Sequence, residues 1–161
     1  MGAANGYQYL WKEAEGKASG SLKFSWLTGG RYYTVTASAD TNTSVLFARI
    51  GASDPNFNLR PEAAVILRTH AQSSVFASVL EPHGLWDGNI ETSRDAFGGV
   101  TNVVVLESTE EYTAAQINWK DGRHWLVIVV NKPSSPVEIH TATVKGKKIQ
   151  WLGGAYIVKQ Q

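Results

Sequence analysis

The sequence contains no cysteine, which excludes a disulfide framework and any thiolate metal site. Charge is also scarce. Asp, Glu, Lys and Arg make up 18% of the chain, below the usual ~25%. The net charge is only +1, which argues against a dedicated nucleic-acid binder, where a strongly basic domain is expected. Long apolar runs are missing too. The longest, Trp125 to Val130, is far shorter than a membrane-spanning helix requires. No apolar stretch of signal-peptide length follows Met1. What remains is an apolar fraction of 43% in 161 residues, enough for one packed domain and too much for a disordered chain.

The residues that are present alternate with period two. Leu22, Phe24 and Trp26 alternate with Lys23 and Ser25, and Tyr33, Val35 and Ala37 with Tyr32, Thr34 and Thr36. Further strands are expected at 44–50, 63–69, 74–80, 101–106, 112–119, 123–130, 137–144, 147–151 and 155–158. Together they make about eleven, and no segment reads as a helix. Gly29-Gly30, Asp121-Gly122 and Lys145-Gly146 are hairpin turn signals. The pattern predicts an all-β chain, 1–161, forming one antiparallel two-sheet β-sandwich. Trp125 to Val130 is apolar at every position and is expected to be a central strand covered on both faces.

Two long irregular stretches are expected, at 51–61 and 81–99, and long loops in compact domains tend to carry function. Phe57 and Leu59 should anchor the first loop to the core. The second gathers Glu81, His83, Trp86 and Asp87. Trp86 could stack on a sugar ring, with His83 and Arg60 as polar contacts. Arg49 and Arg68, with His70, flank the same loops and suit an anionic sugar, because guanidinium grips carboxylate bidentately. The alternative is that Glu81 and His83 satisfy backbone groups while Trp86 covers core. Of the other tryptophans, Trp26, Trp119 and Trp125 read as core, and Trp11 and Trp151 as seals at the domain ends.

Catalytic constellations are not evident. The four histidines, His70, His83, His124 and His140, have no metal-binding spacing. There is no Gly-x-Ser-x-Gly elbow, P-loop or dinucleotide fingerprint. A carboxylate–imidazole site from Glu81, His83 and Asp87 is the one local combination to weigh.

Three segments carry a family resemblance: Asn5-Gly6-Tyr7-Gln8-Tyr9-Leu10-Trp11, the stretch from Gly51 to Arg60, and Ser78-Val79-Leu80-Glu81-Pro82-His83-Gly84. In order and interval they resemble the C-terminal region of alginate and oligoalginate lyases within the heparinase II/III-like superfamily. The resemblance runs from Asn5 to the early hundreds and weakens toward Gln161. It implies a polysaccharide lyase whose helical toroid and central β region precede a segment like this one. It further implies β-elimination beside a uronate and a periplasmic or extracellular parent protein. Such enzymes carry their catalytic Asn-His and Tyr, and their metal-binding His and Asp, on those preceding regions. No matching motif occurs in this sequence, so the resemblance assigns it no catalytic residue, no metal ligand and no cofactor. The chain is then expected to be a C-terminal module, inactive alone. Its partners would be the rest of the same natural chain and an anionic polysaccharide. The other function class is an independent carbohydrate-binding module using Trp86, Arg60 and His83.

Overall fold

A computed structural model describes residues 10–50 and 62–160, all of it strands and their connections. Among the described residues there are thirteen strands and no helix, so no helix is long and apolar enough to cross a membrane. Every strand pair is antiparallel. The all-β antiparallel expectation holds, with strand β1 (Leu10–Lys17) and the short β7 (Thr92–Arg94) added to it. The chain falls into two compact units.

The smaller unit carries one three-stranded sheet, in the order β1, β4 (Ser44–Ile50), β5 (Glu62–Arg68). Within the strands of this sheet, Val45, Leu46 and Ala48 of the central strand are the buried residues. β1 is an edge strand with charged residues on its surface. Lys12 bonds Glu15 and Arg49 bonds Glu13, the kind of edge that resists pairing with other chains.

The larger unit begins with the sheet β2 (Leu22–Thr28), β3 (Arg31–Ala37), β6 (Ser78–Asp87), β7. Gly29 and Gly30 both take positive φ, 56° and 74°, and close the β2–β3 hairpin in the type I′ sense that the right-handed strand twist favours. A second sheet runs β13 (Ala155–Gln160), β10 (His124–Val130), β9 (Tyr112–Trp119), β8 (Val100–Ser108). A two-stranded ribbon, β11 (Ile139–Val144) with β12 (Lys147–Leu152), packs on one face of that sheet. The core lies between them: Ala114, Leu126 and Ile128 of the sheet meet Ala142, Val144 and Trp151 of the ribbon.

β10 is central, as expected, but only one of its faces is fully covered. Leu126 and Ile128 are 3% and 0% exposed, whereas Val129 on the opposite face is 45% exposed. The uniform apolar run therefore does not mean uniform burial: the ribbon covers one side of the strand, and the other side is only partly enclosed.

The expected loop at 81–99 is largely strand. β6 runs through Glu81-Pro82-His83 to Asp87 and pairs with both β3 and β7. Pro82 and Gly84 read as loop signals, yet the strand passes through them with a register irregularity between Arg31 and Tyr32 on its neighbour. Proline is tolerated in a sheet at such irregular points.

Candidate functional site

The residues singled out at 81–87 are drawn into the framework of the larger unit. Glu81 is 9% exposed. Its Oε1 accepts the backbone N–H of Gly99 at 2.7 Å and of Val100 at 3.1 Å, and its Oε2 accepts Val100 N–H at 3.1 Å. Glycines at 98 and 99 allow this approach. A Cβ on Gly98 would lie 2.8 Å from the Glu81 carboxylate, and one on Gly99 would lie 2.9 Å from the Trp119 ring. Glu81 thus anchors the start of β8 rather than facing a substrate.

His83 is held at both ring nitrogens. Its Nδ1 is 2.8 Å from the Asp95 carbonyl, which can only accept, so Nδ1 carries the proton. Nε2 is then the acceptor for the Thr34 hydroxyl at 2.7 Å, and Thr34 accepts in turn from Ser25 at 2.7 Å. Tyr32 stacks on the imidazole with centroids 6.2 Å apart and bonds Ser93 through its hydroxyl at 2.6 Å. Nε2 is occupied by the hydroxyl of Thr34, which is 2% exposed, so neither group is open to a substrate proton. Asp87 turns instead to the backbone N–H of Asn89, at 2.9 Å. Glu81, His83 and Asp87 therefore make three separate structural contacts and no joint site.

Trp86 remains 37% exposed at the end of β6, paired across the hairpin with Ser93. It is the one member of the group whose ring is open to a partner. Arg60, and with it Phe57, Leu59 and the whole 51–61 stretch, lies outside the described residues, as does most of the segment Asn5 to Trp11. Arg49 is ion-paired with Glu13 at 2.7 Å, and His70 is exposed just beyond β5. The reading of Trp26 as core is corrected, since it is 43% exposed, and Trp11, read as a seal at a domain end, is 50% exposed. Trp26 stacks instead on Tyr33, at 5.6 Å between centroids. Trp151 does bury, against His140 and Tyr156.

Two clusters escaped the sequence reading because their members are scattered along the chain. One is a cleft where the ribbon meets the sheet, lined by Glu111, Tyr112, Lys132, Glu138, His140 and Trp151. Burial, reinforced by Glu107, pushes the Tyr112 phenol above its ordinary range. Ser134 Oγ lies 2.6 Å from His140 Nε2, a spacing reminiscent of a nucleophile and its base. The carboxylate of Glu138, however, approaches that same nitrogen, at 3.9 Å, and takes the Ser135 N–H. No acceptor orients Nδ1 among the described residues, so the logic of a catalytic triad is absent.

The other cluster is a polar network on the β8–β9–β10 sheet. His124 Nδ1 is 2.6 Å from Asn118 Oδ1, which also accepts from Gln116 Nε2 at 2.5 Å. Asn118 donates to Asn102, and Lys145 donates to Gln116 at 2.6 Å.

Among the described residues, no group of three or more His, Asp or Glu side chains is arranged to hold a metal ion. No protein-family model matches the chain. Two curated proteins do. The chain is 32% identical over 164 residues to an exo-oligoalginate lyase of Saccharophagus degradans, a match covering 98% of this chain and 22% of that protein. It is 33% identical over 155 residues to an alginate lyase of Stenotrophomonas maltophilia, covering 95% of this chain and 21% of that one. The resemblance to alginate and oligoalginate lyases is thereby borne out, and the chain spans about a fifth of the length of the curated relatives it matches.

Proposed function

We propose, from this similarity to part of two alginate lyases, that the chain is the C-terminal, non-catalytic β-domain of a heparinase II/III-like polysaccharide lyase. In this reading it packs on the catalytic regions of a longer chain that cleaves uronate polysaccharides by β-elimination, outside the cytoplasm. The carrying observation is the extent of the match: nearly the whole of this chain, and only a fifth of each relative. A match of that form fits one module of a multi-region enzyme.

The chemistry of the site agrees. Elimination beside a uronate needs a carboxylate neutraliser, a base at C5 and an acid at the leaving oxygen, held together. Here His83 and His140 are hydrogen-bonded to hydroxyls at Nε2, and the buried carboxylate of Glu81 is spent on backbone amides. Exposed apolar side chains on the strands, among them Leu80 at 56% and Ile157 at 61%, suit a module that packs against further protein.

A second reading, an independent binding module for anionic polysaccharide, draws on the exposed ring of Trp86, with Arg60 and His83 as its expected neighbours. His83 would serve there through its stack on Tyr32 rather than through its nitrogens.

Deleting these residues from the longer natural chain tests the packing role. The deletion should lower the thermal midpoint of the remaining enzyme and cut the yield of active lyase. A truncated enzyme with unchanged melting and unchanged activity would contradict the role.

A further inference from the structure

The sheet β13–β10–β9–β8 changes character along one face. Ala114 of β9 and Leu126 and Ile128 of β10 form the core under the β11–β12 ribbon. Continuing along the same alternation, the face turns polar. His124 pairs with Asn118 on one side and Gln160 on the other, and Asn118 pairs with Asn102. Four polar side chains thus form a single row across all four strands, each half-buried. At ~4.8 Å between strands, the row extends about 14 Å.

The ribbon does not extend over this row. Its turn is Lys145-Gly146, and Lys145 Nζ reaches Gln116, one step short of Asn118 along β9. The Asn118–His124 row therefore lies beyond the covered core, with the Lys145 ammonium at the boundary. Leu126 and Ile128 of β10 and Val158 and Tyr156 of β13 give way on this face to His124 and Gln160, and on β9 the polar character already begins at Gln116.

The hydrogen bonds decide which groups remain available to a ligand. Asn118 Oδ1 is saturated by His124 and Gln116. His124 Nε2, the Gln160 amide and the Asn102 amide nitrogen have no protein partner among the described residues. The row and its hydrogen-bond partners contain no carboxylate, and Lys145 gives them a positive charge.

We propose that this row, Asn102, Asn118, His124 and Gln160 with Lys145, binds a short uronate oligosaccharide lying across the strands. Side-chain amides offer donor and acceptor together, as vicinal sugar hydroxyls require, and the ammonium takes a sugar carboxylate. The surface is distinct from Trp86, which sits on the sheet formed by β2, β3, β6 and β7. The choice of uronate rests on the lyase reading; the anionic, hydroxyl-rich character of the ligand rests on the row itself.

The test is titration of this chain with alginate oligosaccharides, followed by NMR and calorimetry, with a neutral gluco-oligosaccharide as control. Alginate oligomers should bind, with shifts at Asn102, Asn118, His124 and Gln160, and should weaken as salt rises. Lys145→Glu should weaken binding by about tenfold or more, the loss of one charge-assisted contact. Lys145 is exposed in a turn, and thermal melts of the variant check that the fold survives. Gln160→Ala, which breaks no hydrogen bond within the described residues, should also weaken binding. No binding, equal binding of the neutral oligomer, or binding lost in Trp86→Ala and untouched in Lys145→Glu would each overturn the proposal. None of these outcomes bears on whether the longer chain is a lyase, which its own cleavage activity decides.

Discussion

Replacing Ile128 with Ala should cost about 2–5 kcal/mol of folding stability, read as a lowered midpoint in denaturant melts. Ile128 is 0% exposed and belongs to the cluster that joins the central strand β10 to the ribbon through Ala142, Val144 and Trp151. Its neighbours across the sheet, Ala114 and Tyr156, belong to paired strands that restrict their movement into the void. Partial collapse is what sets the cost of such a cavity, so a rigid site falls toward the upper part of the range. Val129→Ala, one residue away on the half-open face, should cost far less, because that side chain is 45% exposed. Equal losses in the two variants would mean that the ribbon does not close this core.

Glu81→Ala should be the second severe lesion, at roughly 3 kcal/mol, through a different mechanism. Among the described residues the carboxylate is the sole side-chain acceptor for the N–H groups of Gly99 and Val100, and Val100 is 0% exposed. Removing it leaves buried donors unpaired, each carrying its desolvation penalty. Glu81→Gln keeps one acceptor oxygen in place but points an amide donor at N–H groups, so it should recover only part of the loss. In hydrogen exchange, the amides of Gly99 and Val100 should lose protection first in either variant. A Glu81→Ala protein as stable as the parent would show that water replaces the carboxylate without cost.

Much of the fold was legible because its strands keep period two and its hairpins carry turn residues that tolerate positive φ. Gly29-Gly30 and Lys145-Gly146 both close their hairpins with positive φ at each residue. β1 was not legible. Its Lys12, Glu13 and Glu15 mask a strand that pairs on one side only and keeps seven of its eight residues exposed. The continuation of β6 through Pro82 was hidden for the opposite reason, since a proline and a glycine there read as punctuation.

The site was legible only in its alternatives. Glu81 and His83 do satisfy backbone and hydroxyl partners, the structural role weighed against a ligand role for them. The Asn102–Asn118–His124–Gln160 row could not be read at all. Its members lie on four strands spread over 59 positions, and only the register brings them side by side. Lys145 announced a turn and nothing more.

The most direct measurement of the central claim is the rise in ultraviolet absorbance from the unsaturated uronate product, followed on alginate for this chain alone and for the longer chain proposed to contain it. The account predicts no rise from this chain, because no described group is placed as base and acid around a uronate, and a steady rise from the longer chain. A clear rise from this chain alone, abolished by His83→Ala, would contradict it and make the chain a self-contained lyase.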